Sequence, residues 1–150
     1  KTLGLTSTYE EVRNLREKTL RSHVQIKWED NESINNKTLE STLKLLKDCS
    51  GDKEIWNSSI LDMVRLYFVD MKKIFHVLYK KVKLGGRIYF NVSNSAYFNV
   101  MINTLEICAE IAESERFKVI EIRKARKLKP SPQQKDQIEN LLEGVILMEK

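Results

Sequence analysis

The stretch from Val82 to Tyr97, VKLGGRIYFNVSNSAY, restricts the fold more than any other part of the chain. It reads as a helix end, a glycine turn, a strand and a polar strand exit. Gly85 and Gly86 can take the left-handed conformations that stop a helix and reverse the chain. Ile88, Tyr89, Phe90 and Val92 form a short β-favouring apolar run. Apolar side chains on both faces predict a strand covered on both sides, as in parallel α/β sheets. Asn94 and Ser95 then fall just past its carboxyl end, the edge at which open α/β sheets bind ligands.

The elements around this stretch follow from periodicity. Leu61, Val64, Phe68, Met71, Phe75, Leu78 and Val82 recur at three- and four-residue steps, which predicts one long helix over about 57–82. Its lysines cluster late, in keeping with the helix dipole. Leu39, Leu43 and Leu46 predict a shorter helix over 37–49. Ser7 and Glu10 have the form of a capping box, with a helix over 8–22 and an inner stripe of Val12, Leu15, Thr19 and Leu20. Residues 23–37 are polar, with Val24, Ile26 and Trp28 alternating in a brief extended run. After the central strand, Met101, Leu105, Cys108, Ile111 and Ala112 predict a helix over 99–114. Residues 117–126 are β-like. Pro130 and Pro132 stop that strand. A short helical turn is expected within 133–143, with Gly144 as its breaker, and Val145–Met148 as a closing strand.

These elements make one α/β domain: a sheet-forming part over 57–150 and a helical or loop insertion over 1–56. Hydrophobic residues at 41% can build a core, and charged residues at 31% are those of a water-exposed protein. No apolar run approaches the ~20 residues that span a bilayer, and no signal-peptide pattern opens the chain, so the expectation is a cytoplasmic protein without membrane contact. Cys49 and Cys108 lack metal-type or disulfide spacing, and His23 and His76 stand alone, so no metal site is expected. There is no complete catalytic set and no glycine-rich phosphate loop, because Gly85–Gly86 precedes a strand instead of following one. The net charge of +5 is unevenly spread. Lys118, Arg123, Lys124, Arg126, Lys127, Lys129 and Lys135 stand against Glu121 alone, an excess that suits a phosphate-rich partner.

The order helix, Lys-x-Gly-Gly, strand, Asn-Ser, helix, Phe-x-Val strand, basic Lys-Pro loop, closing strand resembles a known pattern. It is similar to the C-terminal half of class I S-adenosylmethionine-dependent DNA methyltransferases that modify adenine N6 or cytosine N4. The matching segments are Tyr67–Met71, Val82–Gly86, Asn91–Ser95, Glu110–Ala112, Phe117–Val119, Glu121–Arg123 and Val145–Leu147, with Leu15–Val24 resembling the region after the catalytic loop in some members. Leu84 stands where the family usually has proline. The family's cofactor glycine motif and its Asp/Ser-Pro-Pro-Tyr/Phe loop have no counterpart in this sequence.

The resemblance implies a partial Rossmann-like, three-layer fold. Its strand at 87–92 would pair antiparallel with the closing strand at 145–148, and the strand at 117–126 would lie on the far side. It implies a target-base pocket with Asn94, Ser95 and Tyr97, although Asn94–Ser95 equally reads as an ordinary helix N-cap. It implies DNA contacts by Arg21, His23, Arg123, Arg126, Lys127, Lys129 and Lys135. Here the methyl donor, S-adenosylmethionine, would serve the complete enzyme and not this chain by itself. The expected partners are DNA, the N-terminal half of the fold, and a second copy through an exposed strand edge. The competing readings are part of an RNA or small-molecule methyltransferase, and a non-enzymatic module that binds nucleic acid or protein.

Overall fold

A computed structural model describes residues 8–23, 26, 28, 30–50, 54–129, 138 and 141–150, with no side-chain placement for 54–58. Among these residues four helices and five strands follow in the order α1 (Tyr9–Glu17), α2 (Lys37–Ser50), α3 (Glu54–Lys81), β1 (Arg87–Ser93), β2 (Ser95–Tyr97), β3 (Val100–Ile102), α4 (Thr104–Ser114), β4 (Lys118–Lys127) and β5 (Leu142–Glu149). Among the described residues no helix is long and apolar enough to cross a membrane.

The glycine turn works as its sequence demands. Gly85 has φ 74°, a left-handed conformation that releases the chain from α3. A Cβ on Gly86 would sit 2.6 Å from Val82 Cγ1 and 2.8 Å from the Lys83 carbonyl, so only glycine fits the close approach. Lys150 fastens the same corner: its backbone N–H donates to Gly86 O at 3.1 Å and its Nζ to Val82 O at 2.9 Å, satisfying a helix-end carbonyl.

β5 lies at the centre of a three-stranded sheet of order β1-β5-β4 and runs antiparallel to both neighbours. This is the pairing expected for 87–92 with 145–148 and for 117–126 beyond it. The inner face of the sheet packs on the helices. Phe75 of α3 meets Phe90 of β1 edge-on with ring centroids 5.0 Å apart, and Tyr79 meets Phe117 at 5.2 Å. Phe68, Met71 and Phe75 of α3, Ile107, Cys108 and Ile111 of α4, and Ile146 and Met148 of β5 are all but fully buried in one core. Leu39 and Leu46 of α2 belong to that same core.

Several expectations are corrected. The three-layer arrangement is one: along β1 only alternate residues are covered, and Tyr89 is 61% exposed on the outer face beside Arg87, Asn91 and Ser93. Among the described residues the helices therefore cover one face, and Tyr89 is an outward aromatic on a half-buried antiparallel strand instead of a core residue. The helix expected over 99–114 begins only at Thr104. Before it, β2 and β3 form a hairpin whose turn residues Phe98 and Asn99 have φ 50° and 61°. Two successive positive φ values match the hairpin's right-handed twist, so the turn overrides the helical periodicity. Helix α1 is shorter than 8–22 and buries no residue. Its capping box is Thr8 with Glu11, each side chain bonding the other's backbone N–H at 3.2 Å, one position later than expected. The short extended run expected near Ile26 and Trp28 is not a strand among the described residues, and Val24 lies outside them. Of the turn expected within 133–143, residues 133–137, 139 and 140 lie outside the described residues, while Leu142 and Glu143 already belong to β5.

Gly144 sits inside β5 and breaks nothing. A Cβ there would lie 2.7 Å from the Arg123 carbonyl and 3.0 Å from both methyls of Leu105. Gly144→Ala should therefore destabilise the fold by about 1–3 kcal/mol through overpacking. Urea denaturation should show a lower midpoint with an unchanged slope; an unchanged midpoint would contradict this tight packing.

Candidate functional site

A cleft of about 220 Å³ opens at the carboxyl end of β1. Val92 and Ser93 of β1, Ser95 and Tyr97 of β2, Ile102 of β3 and Thr104 of α4 form one wall. Met63, Val64, Tyr67 and Phe68 of α3, with Ser22, form the other. The wall chemistry is uniform: aromatic and aliphatic surface interrupted by neutral hydroxyls, with no charged side chain. Burial pushes the Tyr67 phenol up to about 12, with Cys108 adding to it, and raises that of Tyr97 as well. Both tyrosines therefore stay neutral donors at physiological pH. The cleft is smaller than the ~300–1,000 Å³ of sites that enclose drug-sized ligands, so it suits a small group.

Of the residues expected in a base pocket, Ser95 and Tyr97 line the cleft. Asn94 does not. It is 6% exposed, its Oδ1 accepts the Leu105 N–H at 3.1 Å, and its backbone N–H donates to Leu142 O at 2.8 Å. Asn94 thus caps α4 from outside the helix, because Asn103 at the cap position makes no side-chain bond to the helix end. Ser22, Ser93, Tyr67 and Thr104 were not anticipated. Tyr67 carried a signal in the sequence, an aromatic just off the long helix's apolar stripe. Thr104 carried another, a hydroxyl at a helix start.

Arg21, expected at a phosphate, is engaged within the protein. It is 8% exposed and clamped by carboxylates. Its backbone N–H and Nε both donate to Asp70 at 3.0 Å, its Nη2 reaches Asp70 Oδ1 at 2.5 Å, and its Nη1 pairs with Asp30. Glu32 lies 3.5 Å from Nη2, and Lys73 and Arg65 bind Glu32 in turn. The hydrogen bond and charge of Asp70 hold the guanidinium's pKa above its ordinary value against the cost of burial. Asp30 is held below the usual carboxylate range by the Glu32 N–H and by Arg21. This network fixes the segment that carries Ser22 onto α3. His23 is partly exposed, 3.5 Å from Thr19 Oγ1, and does not line the cleft.

The basic residues of β4 fall into two kinds. Arg123 pairs with Glu121 at 2.8 Å and Arg126 pairs with Glu143. Lys124, Lys127 and Lys129 are exposed and, among the described residues, have no ion-pair partner. Lys135 lies outside the described residues. The sheet register brings this strand to the cleft: Ser93 and Arg126 are both paired with Glu143, on the same rung. Two strand spacings, about 9–10 Å, separate their backbones.

The cofactor implied by the resemblance does not fit the described residues. Gly85 and Gly86 lead from a helix into a strand, the reverse of a loop that presents N–H groups to phosphate at a helix start. No carboxylate lines the cleft to hold a ribose. Among the described residues no group of three potential ligands surrounds a metal position. Burial also pushes the Cys108 thiol up to about 12, leaving a core thiol with little nucleophilic character. No protein-family model, curated protein or solved structure matches the chain.

Arg21→Ala should remove the partner of a largely desolvated carboxylate and destabilise the protein by on the order of 3 kcal/mol. Chemical denaturation measures this. The same variant should leave the salt dependence of any nucleic-acid binding unchanged, and a flattened salt slope would return Arg21 to the phosphate contacts.

Proposed function

We propose that this chain is the C-terminal part of a DNA methyltransferase that modifies an exocyclic amine of adenine or cytosine, acting in the cytoplasm. The observation that carries the reading is the placement of a neutral, tyrosine-bearing cleft on the same rung of the sheet as an exposed run of lysines. The sequence resemblance adds to it. So does the sheet order, with β1 and β4 parallel to each other and the closing strand reversed between them.

In this role the chain supplies recognition and positioning. Lys124, Lys127 and Lys129 contact the phosphate backbone, which gives affinity without sequence choice. A base swung out of the stack enters the cleft, where Tyr97 and Tyr67 offer aromatic surface and Ser95 and Thr104 offer hydroxyls to its edge. In the complete enzyme S-adenosylmethionine would supply the methyl group, and none of the described residues would hold it. What this chain's residues contribute to rate is orientation of the amine and exclusion of water from the cleft.

Two measurements test this. Anisotropy titrations against a short duplex over a salt series should give a steep negative slope of log affinity against log salt. Replacing Lys124, Lys127 and Lys129 with alanine should flatten it by about 0.9 per lysine, roughly 2.7 in all. An unchanged slope would move the nucleic acid to another surface. With single-stranded oligonucleotides, Tyr97→Ala should cost about 1–3 kcal/mol of binding while Tyr97→Phe keeps it, since stacking requires only the ring. Equal loss in both variants, or none, would remove the base from the cleft.

A further inference from the structure

The edge of β1 that faces away from β5 has no neighbouring strand among the described residues. Its backbone groups are aimed outward in a regular way. Asn94 N–H donates to Leu142 O, and Lys150 N–H donates to Gly86 O, so the even-numbered positions of this strand bond to β5. Bonding alternates along an antiparallel ladder. The N–H and C=O groups of Arg87, Tyr89, Asn91 and Ser93 therefore point to the free edge. Among the described residues the usual devices that blunt such an edge are missing. The strand holds no proline, its register with β5 is unbroken from Arg87 to Ser93, and its one charge, Arg87, is tied to Glu149 at 2.8 Å.

We propose that this edge pairs with the same edge of a second copy, joining two three-stranded sheets across a two-fold antiparallel β1–β1 seam. The strand is self-complementary in one register. Outward-bonding residues must face one another, and centring the axis on Phe90 uses all four of them: Arg87 faces Ser93 and Tyr89 faces Asn91. On the inner face Ile88 then meets Val92, and Phe90 meets its own copy. Apolar side chains meet apolar ones, an arginine meets a hydroxyl, a tyrosine meets an amide, and no like charges are opposed. Moving the axis by one residue in either direction leaves at least one outward-bonding residue without a partner. The burial pattern fits the seam. Ile88, Phe90 and Val92 are only half-buried, while Ile146 and Met148 on the neighbouring strand are fully covered. A patch that supplies both halves of its own interface is the requirement of a closed two-fold dimer. This inference concerns the chain by itself and does not use the lysines or the cleft; in the complete enzyme of the reading above, a strand of the N-terminal half would take this edge instead of a second copy.

Light scattering after gel filtration should give twice the 17.6 kDa chain mass. Amide exchange followed by NMR should show Arg87, Tyr89, Asn91 and Ser93 gaining about ten-fold or more protection as concentration rises, with Ile88, Phe90 and Val92 unchanged. Asn91→Pro removes one outward N–H and leaves the β1–β5 bonds intact, so it should yield a monomer with the same circular dichroism. If that variant misfolds, the exchange pattern of the unmodified protein decides alone. Three results would overturn the proposal. One is a monomer with those amides exchanging fast. Another is a monomer with them protected, which would put a segment of the same chain on the edge. The third is a dimer in which they remain fast.

Discussion

The reversed strand β5 holds the structure together. Ile146 and Met148 are fully buried between the two outer strands and the helices, and every ladder of the main sheet includes this strand. Because β1 and β4 each run opposite to β5, they run parallel to each other, and their carboxyl ends emerge together. Glu143 then faces Ser93 on one side and Arg126 on the other. The hydroxyl-lined cleft and the lysine-bearing strand thus become neighbours through backbone pairing, although some thirty residues separate them in the chain. Gly144 permits this closeness, since β5 passes against Arg123 and Leu105 with no room for a side chain.

Charge is divided between structure and surface. Arg21 and Arg65 work inside the molecule, holding the residues near Asp30 and Glu32 against α3, and Arg21 alone engages three carboxylates. Breaking such a pair leaves a desolvated charge, so these contacts are costly to remove whatever their net value. On β4, Arg123 and Arg126 are balanced by Glu121 and Glu143, and the lysines between and beyond them stay open to solvent. A solvated lysine on a flexible stem is well suited to a phosphate backbone that it need not read.

The fold was legible where a pattern was long or chemically constrained. The stripe from Leu61 to Leu78 gave α3, the glycine pair gave its end and the start of β1, and β4 and β5 followed from β-favouring runs. The hairpin was hidden because Met101 and Leu105 fit a helical period, and its turn uses Phe98 and Asn99 in place of glycine. Tyr89 read as core because an apolar side chain on a strand does not declare which face will be covered. In the site, Ser95 and Tyr97 were legible from their position past a strand end. Asn94 reads in the sequence both as a pocket residue and as a helix cap, and Arg21 as a phosphate contact; what decides each is a partner, Leu105 or Asp70, that tertiary structure supplies. Asp70 lies 49 positions along the chain from Arg21.

The central claim is that cleft and basic strand form one binding surface. The most direct measurement is an NMR titration of the protein with a short single-stranded oligonucleotide containing adenine and cytosine. A single surface predicts that the amides of Ser93, Ser95 and Tyr97 shift together with those of Lys124, Lys127 and Lys129, and that all fit one dissociation constant. Shifts confined to the lysines with the cleft unmoved, or confined to the opposite end of the sheet around Lys81, Lys83 and Lys118, would contradict it.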